Sequence, residues 1–266
     1  MFGGKVIKKN FHFGFVVFIL NWSSLNKKNK SCTGVVIKMD MVVTAAHCIV
    51  SNRSDRFDPE LARVYFLTSK ARYIGFNVMR AFVHPYYWPE EENDIAVVQT
   101  YNFLPIYVNL PKTPFQGGSC FIAGFGNRDD YKNGTTWLSV LRSSPLPKHV
   151  CRFMTSHQEN TICLIINNIG PCTGDSGGPL ICDGLLRAIL TRGIFNGSGC
   201  GKANFAMMIY EDLHDHQVWL SKITSLSSLV RSSTPNYPFH VLLIFSCLFF
   251  PYKYTKRVLS VQTSCW

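Results

Sequence analysis

The chain has 266 residues, 47% of them apolar, which places it among globular rather than disordered proteins and allows a substantial core. Its net charge of +11, from 27 Lys and Arg against 16 Asp and Glu, comes from scattered residues and local runs such as Lys27-Lys28-Asn29-Lys30. No nucleic-acid motif accompanies this charge, which reads as a solvated surface and excludes a nucleic-acid partner. Ten cysteines without Cys-x-x-Cys spacing favour a disulfide framework in an oxidising compartment and exclude a zinc site.

In chain order, residues 1–12 are irregular. Lys5, Lys8 and Lys9 precede the apolar run Phe11 to Leu20, which leaves two readings. One is a signal-like segment; the other, preferred because no small-residue cleavage site follows, is a first strand around Phe15–Ile19. The strand reading implies that the natural start of the chain is missing. Short runs rich in β-branched residues follow, such as Val35-Val36-Ile37, Val42-Val43-Thr44 and Ile95-Ala96-Val97-Val98, punctuated by Gly, Pro, Asn and Asp. This is the pattern of an all-β domain. The Pro-rich stretch 101–118 predicts a linker between two halves, 13–110 and 111–230. Glu211 to Val230 predicts an amphipathic helix with Val218, Trp219, Leu220 and Ile223 on or near its buried side. Residues 231–266 form a tail outside the domain. Its apolar run, Phe239 to Phe250, is shorter than the about 20 residues that span a bilayer, and Lys253, Lys256 and Arg257 follow. The tail reads as an extension without a fold or as a membrane-contacting segment. Asn-x-Ser/Thr triplets at Asn21, Asn52, Asn133 and Asn196 are glycosylation candidates that agree with secretion.

Three motifs carry chemistry: Thr44-Ala45-Ala46-His47-Cys48, Asn93-Asp94-Ile95-Ala96 and Gly174-Asp175-Ser176-Gly177-Gly178-Pro179-Leu180. Their order and spacing resemble the chymotrypsin/trypsin family of serine proteases over about residues 13–225, with an N-terminus similar to that of divergent insect-type members. The resemblance implies two six-stranded antiparallel β-barrels of the chymotrypsin type and a C-terminal helix. It implies a serine endopeptidase that works through an acyl-enzyme. Ser176 would be the nucleophile, His47 the base that takes its proton, and Asp94 the carboxylate that fixes the imidazole tautomer. The N–H groups of Gly174 and Ser176 would form the oxyanion hole. Asp175 would pair with an α-ammonium released by activation of a zymogen. No Ile-Val-Gly-Gly start is present, however, and Lys5-Val6-Ile7 lies too close to the first strand to replace it, so no partner for Asp175 is visible in the sequence: either the natural start is missing, or activation differs, or the protein is not an efficient enzyme.

The same resemblance implies the disulfides Cys32–Cys48, Cys120–Cys182, Cys151–Cys163 and Cys172–Cys200, leaving Cys247 and Cys265 in the tail. It places Gly170 at the base of the primary substrate pocket, where a trypsin-like enzyme carries Asp. A cationic side chain would be buried there unpaired, so the expected residue before the scissile bond (P1) is small to medium and apolar rather than Arg or Lys. Thr191-Arg192-Gly193 stands where Ser-Trp-Gly is usual. Gly193 would leave the pocket mouth open, Phe205 would narrow another wall, and Arg192 would favour acidic side chains further up the substrate. No cofactor and no metal are expected. The expected partners are peptide or protein substrates and serpin-like or other protease inhibitors, with membrane contact only through the tail, and the protein is expected to be a secreted monomer. The alternative is a non-catalytic homologue acting as a binding module.

Overall fold

The structure is a computed structural model that describes residues 1–7, 12–22, 29–50, 57–89, 91–128, 137–155, 158–196, 200 and 205–232. The first half forms a closed barrel of six strands: β2 (Val16–Trp22), β3 (Asn29–Lys38), β4 (Met41–Thr44), β5 (Ala62–Leu67), β6 (Tyr73–Val83) and β7 (Ala96–Thr100). They pair antiparallel in the order β2-β3-β4-β7-β6-β5, and β2 closes on β5 through pairs such as Ile19 with Val64. Closure removes both sheet edges. It also lets the β-branched runs fill the interior, where Val17, Ile19, Val36, Val42, Val64 and Val98 share one core.

The second half contributes β8 (Cys120–Gly124), β9 (Leu138–Ser143), a short helix α1 (Lys148–Met154), β10 (Thr161–Ile166), β11 (Pro179–Cys182), β12 (Leu185–Asn196) and β13 (Phe205–Asp212). No strand lies between Thr100 and Cys120, where prolines interrupt the chain. These six strands order as β9-β8-β11-β12-β13-β10, and a seventh, β1 (Lys5–Ile7), adds to the β9 edge. The first residues are therefore not irregular as expected. Lys5–Ile7 pair with Leu138–Val140, and Met1 is buried in the core of this sheet.

Two apolar clusters join the halves. Val16 and Leu67 pack with Ala123, Phe125, Leu138 and Val140; Val35, Met41, Val43 and Val97 pack with Leu186, Ile189, Leu213, Leu220 and Ile223. The last two residues belong to α2 (Gln217–Ser232), which starts later than the expected Glu211. Residues 205–212 are a strand instead, because the run Phe205–Tyr210 is apolar and pairs along both edges, with β10 and β12. Of the predicted buried face, Leu220 and Ile223 are buried, whereas Val218 is 85% exposed.

Candidate active site

His47 sits in a single helical turn, Ala46–Cys48, directly after β4, and Asp94 precedes β7. Because β4 and β7 are neighbours, with Thr44 opposite Ala96, their adjoining ends bring the two residues together. The His47 Nδ1 lies 2.6 Å from the Asp94 Oδ2, and the His47 backbone N–H donates to Oδ1 at 2.8 Å. Both carboxylate oxygens are thus engaged by one residue, which fixes the imidazole with Nδ1–H toward Asp94 and leaves Nε2 free to accept a proton. Lys30 adds a hydrogen bond from Nζ to the His47 carbonyl at 3.0 Å. The Cys32–Cys48 disulfide ties this turn to β3, and the Cys48 Sγ lies 3.8 Å from the carbonyl oxygen of Ser176.

The loop carrying Ser176 runs from β10 to β11, across the seam between the halves. Thr33 of β3 holds it: its N–H donates to the Ser176 carbonyl at 2.8 Å and its Oγ1 to the Gly174 carbonyl at 2.9 Å. The same Oγ1 accepts the Phe125 N–H at 3.0 Å. Two loop glycines are required by geometry. Gly174 has φ +95°, and a Cβ on Gly177 (φ +79°) would lie 2.1 Å from the Thr44 Oγ1 and 2.2 Å from the Thr33 carbonyl oxygen. The N–H of Asp175 bonds to the Cys172 carbonyl and that of Gly177 to the Leu190 carbonyl. Among the described residues, the N–H groups of Gly174 and Ser176, on either side of Asp175, donate to no backbone carbonyl.

Asp175 is 1% exposed, and its partner, not visible in the sequence, is present in the structure. The α-ammonium of Met1 lies 2.9 Å from its Oδ2 and donates to the carbonyls of Gly126 and Asn127 at 2.7 and 2.8 Å. The carboxylate also accepts the N–H groups of Gly126 and Cys172. Lys5-Val6-Ile7 is not the stand-in; those residues are a strand, and Met1 to Gly4 make the approach. A bridge between Phe2 and Gly170 guides them. Burial lowers the pKa of the Met1 ammonium, against the opposing pull of Asp175.

The family model described as Trypsin matches residues 5–220. The chain belongs to the trypsin family of serine proteases. It is 31% identical over 191 residues to Serine protease 1 of Canis lupus familiaris, covering 67% of this chain and 74% of that one. It is 30% identical to Trypsin of Sus scrofa, covering 68% and 80%, and 28% identical to Kallikrein-10 of Homo sapiens, covering 76% of each. Among solved structures, neuropsin, a serine protease expressed in the limbic system of mouse brain, superposes with a TM-score of 0.67 at 22% identity, over 84% of this chain and all of the other. The chymotrypsin-like fold, here one closed six-stranded barrel and one seven-stranded sheet rather than the two six-stranded barrels expected, and the assignment as a serine endopeptidase rest on these likenesses.

On the substrate side of this protease, Gly170 and Gly193 do not border open space. A Cβ on Gly170 would lie 1.8 Å from the Ile166 Cδ1. A Cβ on Gly193 would lie 2.9 Å from the Phe195 ring and 3.0 Å from the Met208 methyl. Phe205 is not the narrowing wall: it packs with Cys151, Cys163 and Leu146, and Met208, three residues on along β13, faces the other way into this space. Thr191 donates from Oγ1 to the Ile209 carbonyl at 3.1 Å. Arg192 does not project freely; its Nη2 donates to the Gln158 Oε1 at 2.5 Å, and the Gln158 Nε2 donates to the Glu91 carbonyl. Thr191, Arg192, Gln158, Glu91 and Ile209 line a cleft of about 290 Å³ together with His47, Tyr87, Asp94 and Glu211; Gly170, Gly193 and Met208 are not part of its lining.

The disulfides Cys120–Cys182, Cys151–Cys163 and Cys172–Cys200 are also formed, the last tying the segment before Ser176 to the loop after β12. Asn21 is excluded as a glycosylation site, because it is 7% exposed and its Nδ2 donates to the carbonyls of Cys48 and Ile49. Asn196 is exposed; Asn52, Asn133 and the tail from residue 233 lie outside the described residues. Among the described residues, the one group spaced to hold a metal is Cys32, His47 and Cys48, whose two sulfurs are joined to each other. Three residues of the site carry no sequence motif: Thr33, Met208 and Glu211. Nothing but their position in the strands could have singled them out.

Proposed function

We propose that this protease cleaves peptide bonds through an acyl-enzyme on Ser176, with a preference for small apolar residues at P1. His47, oriented by Asp94, takes the Ser176 proton and returns it to the leaving amine. The N–H groups of Gly174 and Ser176 stabilise the tetrahedral oxyanion, and the Met1–Asp175 pair holds that loop in shape. The observation that carries the reading is the His47–Asp94 contact of 2.6 Å, beside a serine loop in which, among the described residues, the Gly174 and Ser176 N–H groups donate to no backbone carbonyl. The P1 reading is supported by Ile166, Phe195 and Met208, which occupy the space beside Gly170 and Gly193 with apolar atoms and supply no carboxylate for Arg or Lys. Above P1, the Arg192 guanidinium favours acidic over large apolar side chains, because any apolar group there would bury it further. Secretion is part of the same reading, supported by the disulfides, and so is a monomeric state. Among the described residues no helix is long and apolar enough to cross a membrane.

A fluorophosphonate probe tests the catalytic reading. Folded protein should label on Ser176, and Ser176→Ala or His47→Ala should abolish the signal; absence of wild-type labelling removes the enzyme reading. The filled P1 space favours one second reading, a family member that binds peptides without cutting them. Cleavage of a P1 peptide library decides between the two, and dominant cleavage after Arg or Lys would refute the P1 assignment.

A further inference from the structure

Behind the catalytic carboxylate lies a second buried ionisable group that the reaction does not account for. Glu211, near the end of β13, is 4% exposed, and His216, just before α2, is 3% exposed. The Glu211 Oε2 lies 2.9 Å from the His216 Nε2, and the Glu211 Oε1 accepts the backbone N–H of Asp94 at 3.1 Å. A buried carboxylate is costly unless its oxygens are engaged. Here one oxygen is engaged by an imidazole and the other by the peptide of the residue that orients His47.

That peptide needs holding. Asn93 has φ +53°, a left-handed conformation uncommon for a residue with a side chain, and the Ile95 N–H closes a tight turn around Asp94 by donating to the Asn93 carbonyl at 2.7 Å. The direction of the Asp94 carboxylate is set by the orientation of the peptide units on either side of it. Glu211 fixes the unit before Asp94. His84 holds the next unit along, between Ile95 and Ala96, by donating its N–H to the Ile95 carbonyl at 3.1 Å. The two supports are themselves in contact: the His84 ring packs edge-on to His216 at 5.1 Å and to Trp219 at 5.0 Å between centroids.

We propose that Glu211, held by His216, is a positioning residue that orients Asp94 toward His47. The proposal rests on the protease reading for its effect on rate, and on geometry alone for its effect on the His47–Asp94 pair. Glu211→Gln keeps an oxygen for the Asp94 N–H, whereas Glu211→Met keeps the length and removes the acceptor. Because Glu211→Met also strands His216, the double variant Glu211→Met/His216→Leu removes both buried polar side chains and leaves only the Asp94 N–H unpaired. Fluorophosphonate labelling rates are measured per folded molecule, together with melting temperature and the proton NMR signal of the His47 Nδ1–H. The expected result is near wild-type labelling for Glu211→Gln. Glu211→Met and the double variant should lose about 10- to 100-fold, the scale of a small misplacement of a catalytic group, and the Nδ1–H signal should shift in these two alone. Equal rates and equal signals for the Gln and Met forms would overturn the proposal. So would loss in Glu211→Gln as large as in Glu211→Met. If wild-type protein fails to label, the protease reading fails, and the Nδ1–H signal still decides whether Glu211 orients Asp94.

Discussion

Replacing Met208 by alanine tests whether the space beside Gly193 sets the P1 preference. Met208 is 1% exposed and its methyl lies 3.0 Å from where a Cβ on Gly193 would stand. Truncating a buried Met to Ala commonly costs about 2–5 kcal/mol. A protein of ordinary stability, about 5–15 kcal/mol, tolerates that loss. In return, the vacated space can receive a P1 phenylalanine. Burial of such a side chain contributes about 1.5–3 kcal/mol. If it is realised in the transition state, kcat/KM for Phe relative to Ala rises by about 10- to 150-fold. The assay is a pair of peptides that differ only at P1, compared between wild type and Met208→Ala, with thermal melting as a control. A Phe-to-Ala ratio unchanged in a folded variant would refute the reasoning, since Met208 would then not bound the P1 side chain. Phe195→Ala, which removes the other group at 2.9 Å, should shift the ratio in the same direction.

Thr33→Val keeps the shape but leaves the Phe125 N–H and the Gly174 carbonyl without the hydroxyl, so chemical denaturation should show a loss of about 2 kcal/mol and slower probe labelling. Burial and the neighbouring His216 lower the His84 pKa to about 4. An unfolded histidine titrates near about 6.5, so the unfolded chain binds the extra proton first. The contribution of His84 to stability is therefore complete above that pH and lost as pH falls toward 4, about 1–2 kcal/mol after allowing for partial solvent screening; denaturation curves of His84→Gln should show a smaller acid loss than wild type. Acetylating the Met1 amine in protein prepared with that amine free would leave Asp175 buried without its cation, and labelling should fall sharply. Since burial lowers the ammonium pKa from 8.0, the unmodified protein should begin to lose labelling as pH rises, from a point below 8.0.

The sequence made the chemistry of the site readable because that chemistry demands particular atoms. His47, Asp94 and the Gly174–Pro179 loop are motifs since few residue types accept a serine proton or fit a turn with φ +95°. The barrel was readable from runs such as Val42–Thr44, whose residues are all buried. What was not readable depends on partners far along the chain. Glu211 looked like the first residue of a helix because it follows an apolar run, yet its strand pairing with Thr161 and Ile189 turns it toward Asp94. Phe205 and Met208 are both apolar residues of one strand, and only the pleat says which of them faces Gly193. The partner of Asp175 was sought as a motif, but the contact requires a buried ammonium at the right distance, and the Met1 amine meets that need without the expected side chains.

Three carboxylates, Asp94, Glu211 and Asp175, lie in or beside the candidate site, each at 8% exposure or less. A net charge of +11 does nothing for them, since the scattered surface lysines are screened within about 8–10 Å of solvent. Each carboxylate instead has its own nitrogen partner: His47 on Asp94, His216 on Glu211, and the Met1 ammonium on Asp175. Such pairs contribute little net stability, because desolvation offsets their attraction, but breaking one is costly. That asymmetry suits a site whose function depends on direction. An apolar core would tolerate small rotations of Asp94 or of the Gly174–Ser176 loop, whereas a buried carboxylate with every oxygen engaged does not. The pairs on Asp94 and on the Gly174–Ser176 loop are therefore two uses of one device, and the variants at Glu211 and at the Met1 amine should lose stability as well as labelling per folded molecule.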